Sequence, residues 1–164
     1  MPAEAGQRRI GAHRHPDRTE ATVSGTTTLT DALTIQRAMF AAVRRGDMKV
    51  LRELFHSDYT YTPSDGVERP GAEAGMEVAE LYTTAFPDIT IEEVRSWSPT
   101  PDVSIMELRF AGTHTGPLGD IPPTGRRAEG MSCNILQVRD GLIWREREYF
   151  DELSLLRQLG LAEG

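Results

Sequence analysis

The sequence predicts an α+β domain in which helices come first and an antiparallel sheet follows. Three observations carry that prediction. Apolar residues at helical spacing fill the stretch between about residue 30 and residue 86, whereas period-two alternation dominates from Ile89 to Phe150. Asp140-Gly141 lies between two β-rich runs and is the strongest short-range hairpin signal in the chain. Runs of helices followed by runs of strands place the helices on one face of a sheet.

Each element has a local reason. Thr30 or Asp31 caps a helix with Leu33, Met39, Phe40 and Val43 near one face, ending at Arg44-Arg45-Gly46. Asp47 caps a shorter helix through Leu54, and His56 then falls near its C-terminal end, where it favours the helix dipole. Tyr59 to Thr62 reads as a short strand, broken by Pro63 and the Asp65-Gly66 turn. A third helix spans Ala72 to Ala85 and buries Met76 and Ala79; Pro87 stops it. Strands follow from Ile89 towards Trp97 and from Val103 to Thr113. A breaker-rich loop, Gly116 to Gly125, leads into strands Arg126 to Val138 and Leu142 to Phe150. A short amphipathic helix, Leu153 to Leu159, closes the chain before Gly160.

Composition bounds the function. A chain of 164 residues is one ordinary domain, able to bury roughly 70 % of its unfolded surface. Residues 1–28 are polar, carry Arg8-Arg9 and His13-Arg14-His15 and show no apolar period, so they are expected to be a disordered leader; the folded domain is expected over 29–164. The net charge of −7 argues against a nucleic-acid surface, which needs a basic stripe. No run is long and apolar enough to span a membrane. One cysteine, Cys133, excludes an internal disulfide framework and suits a reducing, cytoplasmic setting; it is expected to be a buried small hydrophobe. Four histidines are present, but none is paired at a spacing that would build a metal site, and no metal is expected.

A set of short segments then meets a known pattern. Phe86-Pro87-Asp88, Gly112-Thr113-His114-Thr115-Gly116, Pro122-Pro123-Thr124-Gly125-Arg126, Asp140-Gly141-Leu142-Ile143 and Phe150-Asp151 with Gln158-Leu159-Gly160 occur in order. Together they resemble the SnoaL-like polyketide (ester) cyclase family, within the nuclear transport factor 2-like superfamily, over about Thr30 to Leu161. The resemblance implies a cone: a curved antiparallel sheet wrapped over three or four helices around an apolar pocket. It also implies a homodimer formed through the outer sheet face. The activity it implies is an intramolecular aldol ring closure of a polycyclic aromatic polyketide, without a cofactor, with the aspartate at position 151 as general acid/base.

Asp151 lies where the last strand hands over to the last helix. A carboxylate in an apolar pocket can remove a proton from carbon and return one to the new alkoxide if desolvation lifts its pKa. Capping the last helix is an equally good use of an acid at that junction. His114, between glycines at a strand end, is a candidate to polarise a substrate carbonyl. Tyr59, Tyr61, Trp97 and Phe110 are candidates to line the cavity, although core packing explains each as well. Arg145 to Glu148 alternate in sign, and cross-strand ion pairs on an outer face account for most of that run. In an unbulged strand Arg145, Arg147 and Tyr149 share the face of Asp151, so Arg147 and Tyr149 are expected near the substrate. A regular hairpin sets Asn134 opposite Arg147, which makes Asn134 a further polar liner. Departures from the family pattern include Arg147, where relatives often carry tryptophan, and Leu142 in place of lysine. Besides the cyclase, a cofactor-free hydroxylase and a small-ligand-binding module fit the same pattern. An epoxide hydrolase would want an Asp-Arg-Asp set, which this sequence does not offer.

Overall fold

The computed structural model describes residues 31–163, so the leader expected over 1–28 lies outside the described residues. Ten elements follow in order: α1 (Ala32–Arg45), α2 (Met48–Glu53), β1 (Phe55–Thr62), β2 (Arg69–Pro70), α3 (Ala72–Ala85), β3 (Thr90–Thr100), β4 (Val103–Thr113), β5 (Arg127–Arg139), β6 (Leu142–Phe150) and α4 (Glu152–Leu159). Local chemistry sets most boundaries. The Asp31 carboxylate accepts from the Thr34 amide at 2.9 Å, and Gly46 closes α1 in the left-handed region at φ 65°. Asp47 caps α2 through the Val50 amide at 3.1 Å. Gly160, at φ 73°, ends α4 in the same way as Gly46 ends α1.

Two details depart from the sequence reading. β1 begins at Phe55, four residues before the expected strand, because Phe55 pairs with Ile143 and the Leu54 carbonyl accepts from the Ile143 amide at 2.8 Å. His56 is therefore a strand residue, not a helix end. The two-residue β2 has no hydrophobic pattern of its own and exists only through its pairing with Thr60 and Tyr61.

The six strands form one sheet in the order β2-β1-β6-β5-β4-β3. β3 to β6 make an antiparallel meander, as expected, while β1 joins β6 in parallel. Helices α1 and α3 cover the concave face and α4 packs on β5. One core cluster lies between α1, α3, β1 and the turn end of the last hairpin, centred on Ile35, Met39, Tyr59, Leu136 and Ile143. A second joins Phe86 and Ala128 to Leu155 and Leu159 of α4.

The last hairpin holds the feature that decides the site. Asp140 (φ 53°) and Gly141 (φ 76°) form the tight turn that the sequence announces, and Arg139 pairs with Leu142 and Val138 with Ile143. The next pair is Gln137 with Arg145, so Trp144 is an extra residue, a β-bulge. Its ring lies under two guanidinium groups, Arg139 at 3.5 Å and Arg145 at 4.1 Å. One extra residue in a strand turns every later side chain to the opposite face. Asn134 consequently pairs with Glu148, not with Arg147. The inward residues beyond the bulge are Glu146, Glu148 and Phe150, and Arg147 and Tyr149 point outward.

Candidate active site

Between α1, α3 and the concave sheet lies a cavity of about 120 Å³. Its wall is mostly apolar and aromatic, with Phe40, Phe55, Phe110 and Phe150 among its residues. Tyr82 adds a phenol from α3, and two carboxyl groups, Glu146 and Glu148, enter from β6. Among the described residues, no lysine, arginine or histidine lines it.

The two acids sit on a two-rung ladder. β1 runs parallel to β6, so Tyr59 and Tyr61 step along one strand as Glu146 and Glu148 step along the other. The Tyr59 hydroxyl donates to Glu146 Oε2 at 2.6 Å, and the Tyr61 hydroxyl donates to Glu148 Oε2 at 3.0 Å. Burial pushes both phenols far above their ordinary range, so they remain O–H donors. Close packing of α3 against β1 completes the lower rung: a Cβ at Gly75 would stand 2.5 Å from Tyr59 Oη, so only glycine fits there.

The rungs differ in their surroundings. Glu146 is 8 % exposed and takes a second hydrogen bond, from Asn134 Nδ2 to Oε1 at 2.8 Å. Asn134 is itself held by Gln36 of α1, whose amide donates to Asn134 Oδ1 at 2.9 Å and to the Asn134 backbone carbonyl at 3.0 Å. Glu148, the upper rung, has the Tyr61 hydroxyl as its one side-chain donor among the described residues and is partly accessible. Desolvation, then the neighbouring Glu146 charge, pushes the Glu148 carboxyl up to about 7 against the opposing Tyr61 bond. Burial raises Glu146 as well, against its two donors.

The structure distributes the expected site residues unevenly. Tyr61, Phe110 and Asn134 line the cavity. Tyr59 lies directly behind the wall, fully buried, and stacks on Phe55 with ring centroids 4.1 Å apart. Asp151 does not reach the cavity. It is exposed at the N-cap of α4, where its Oδ1 accepts from the Ser154 amide at 2.9 Å, so an unpaired helix donor claims it. His114 is fully buried outside the cavity wall: Nδ1 accepts from the Thr124 amide at 3.2 Å and the ring packs on Phe86. It organises the Gly116–Gly125 loop and does not line the cavity. Trp97, 44 % exposed, and Tyr149, 46 % exposed, stand on the outer sheet face at β3 and β6, and Arg147 is exposed on the Tyr149 side. Cys133 is partly buried on that outer face, paired across the ladder with Tyr149.

Glu146 and Glu148 are the residues that sequence reasoning missed. The signal was present in the alternation Arg145-Glu146-Arg147-Glu148, since one half of any such strand must face inward. Which half was decided by the bulge at Trp144. Among the described residues, no three histidine, cysteine or acidic side chains converge as a metal site requires.

Comparison with known proteins fits this geometry. The model of the SnoaL-like polyketide cyclase family matches residues 33–159, nearly the whole described domain. The chain belongs to the SnoaL-like polyketide cyclase family. It is 30 % identical over 124 residues to nogalonic acid methyl ester cyclase of Streptomyces nogalater, covering 74 % of this chain and 92 % of the relative. Aklanonic acid methyl ester cyclase DnrD of Streptomyces peucetius is also 30 % identical, over 127 residues that cover 76 % of this chain and 87 % of DnrD. Among solved structures, IdmH of Streptomyces antibioticus, a candidate polyketide cyclase, superposes with a TM-score of 0.65 at 28 % identity, over 77 % of this chain and 96 % of IdmH. The chain is thus a SnoaL-like member with the α+β cone of that family, and no described helix is long and apolar enough to cross a membrane.

Proposed function

We propose that this SnoaL-like chain closes a ring in an aromatic polyketide ester by an intramolecular aldol reaction, with Glu148 as the acid/base. The observation that carries the reading is the Glu148 carboxyl, desolvated on the wall of an aromatic cavity and poised at about pH 7. A base works best when its pKa lies near the working pH, because it must both take and return a proton. As carboxylate, Glu148 removes a proton from a carbon flanked by carbonyls. The resulting enolate carbon bonds to a ketone carbon of the same molecule, and the ketone oxygen becomes an alkoxide. Glu148, now the acid, returns the proton to that oxygen. Product and substrate are isomers, so atoms balance with no added reagent.

The cavity supports the substrate class. Phe110, Phe150 and Tyr82 offer faces and edges to a flat ring system. Two acids with no basic side chain beside them among the described residues suit a neutral ester and repel a free carboxylate. The relatives named as methyl ester cyclases provide the first substrates to try. Incubation with nogalonic or aklanonic acid methyl ester should yield a product of unchanged mass and altered chromophore, and Glu148→Gln should prevent it. Turnover that survives in Glu148→Gln would remove Glu148 from the chemistry. The outer face, with Trp97, Met131 and Tyr149 each more than two-fifths exposed, is the surface a second copy of the chain would cover. Sedimentation as a monomer at micromolar concentration would overturn that assembly.

A further inference from the structure

We propose that Glu146 is a positioning residue: an anchored carboxylate that makes Glu148, and not itself, the member of the pair that takes up and gives back the proton. This rests on the reading of Glu148 as the acid/base and adds the device that selects it.

The argument is one of hydrogen-bond polarity. A backbone carbonyl can only accept. The Asn134 carbonyl therefore fixes which end of the Gln36 side chain faces it, namely the NH2 group at 3.0 Å. That same NH2 group lies 2.9 Å from the Asn134 side chain, which must present its oxygen there. Asn134 then has only its own NH2 group left to turn towards Glu146, 2.8 Å away. An acceptor-only atom at the start of the relay thus delivers a donor at its end. On the other side of Glu146, Tyr59 supplies the short 2.6 Å bond, and its phenol is pushed up by burial, so it too arrives as a donor. Burial raises the proton affinity of Glu146, but both of its oxygens meet donors, the pattern that favours its ionised form over that of Glu148. A proton on Glu146 would have to displace one of them.

Glu148 is placed differently. Among the described residues it has a single side-chain donor, Tyr61, and a fixed negative charge one rung away on the same strand face. Every group facing the pair can be named. β1 contributes Tyr59 and Tyr61, β5 contributes Asn134 and Ser132, α1 contributes Gln36 and α3 contributes Tyr82. None of these is a cation, so among the described residues nothing in the cavity wall neutralises the anchored charge. Two carboxyl groups this close cannot both ionise easily, and the one with fewer donors keeps its proton longer. The relay therefore assigns the roles: the lower rung stays charged and the upper rung exchanges its proton with the cavity.

The test needs no substrate. The Glu148 carboxyl is followed by 13C-carboxyl NMR or difference infrared titration in the full chain and in Glu146→Gln, with thermal melts to confirm the fold. Loss of the fixed charge should lower the apparent pKa of Glu148 by about one unit, a tenfold change in proton affinity. Gln36→Leu leaves both acids in place but frees the Asn134 amide to turn, and it should move Glu148 in the same direction by less. A melt lowered in Glu146→Gln with Glu148 titrating unchanged would show that Glu146 is structural only and overturn the proposal. So would the finding that Glu146 protonates before Glu148 as the pH falls. Retained turnover in Glu148→Gln would instead sink the acid/base reading, and it would do so whatever the titration showed.

Discussion

Glu148 and Asp151 are carboxyl groups three residues apart, and they have opposite fates. Glu148 sits on a wall of aromatic rings with one phenol as partner, and loss of water lifts its proton affinity to the neutral range. Asp151 lies in solvent with a backbone amide fixed on its Oδ1. The same functional group becomes a candidate acid/base in one place and a helix cap in the other. What separates them is the end of the strand: β6 stops at Phe150, and the face that carries Glu148 ends there.

The largest contrast is expected in turnover. Glu148→Gln should lower kcat/KM by about 10²–10⁴-fold, the usual contribution of a positioned general base. Asp151→Asn keeps an oxygen for the Ser154 amide and should stay within about threefold of the parent. A reversal of these two results would restore the aspartate as the reacting group and make Glu148 a buried structural acid.

Stability against pH should separate the pair next. Glu148 holds its proton up to about pH 7 in the folded chain, against an ordinary value of 4.5. Between those limits the folded state binds more protons than the unfolded one, so stability falls as pH rises. The Glu148 contribution is complete below about pH 4.5 and is lost as pH passes through 7, on the order of 3 kcal/mol in all. Denaturant titrations of Glu148→Gln should show that slope flattened. An unchanged slope would mean that the carboxyl is better solvated than its place on the wall implies.

A smaller effect belongs to the cap. Asp151→Ala strands the Ser154 amide at the start of α4 and should cost about 1 kcal/mol of stability with activity retained. Loosening of α4 would reach Leu155 and Leu159 in the second core cluster before it reached the cavity. Chemical denaturation of Asp151→Ala beside Asp151→Asn reads this directly, since asparagine should recover most of the loss.

Much of this fold was legible because its boundaries are written locally. Asp31, Asp47 and Asp151 each precede a helix and cap it within three residues, Gly46 and Gly160 supply the left-handed closures, and Asp140-Gly141 makes its turn from two residues alone. The site was harder to read because it depends on a register set by distant partners. Trp144 carries no bulge signal of its own. Whether the extra residue is accommodated there is decided by pairing with β5 and β1 and by the two arginines that sandwich the indole. Without the bulge, Arg145, Arg147 and Tyr149 face inward and the pocket is cationic; with it, two glutamates do and the pocket is acidic. Phe110 was found from sequence since β4 pairs with β5 without a break, whereas Asn134 lines the cavity although the unbulged register that suggested it places it opposite Arg147 and not Glu148.

The finest distinction lies within the upper rung. Tyr61 donates to Glu148 and favours the ionised form, against burial and the Glu146 charge. Tyr61→Phe removes that donor while keeping the ring in the wall, so the carboxylate becomes harder to form. The acid limb of the pH–rate profile should therefore move to higher pH by up to about one unit, and kcat at pH well above 8 should change little. Asp151 has no such phenol, and no change at Tyr61 should alter the stability difference between the Asp151 variants. A limb that stays in place would mean that Tyr61 donates to the substrate in the working state and leaves Glu148 bare. In that case Tyr61 would orient the substrate oxygen, and Glu148 would owe its proton affinity to burial and to Glu146 alone.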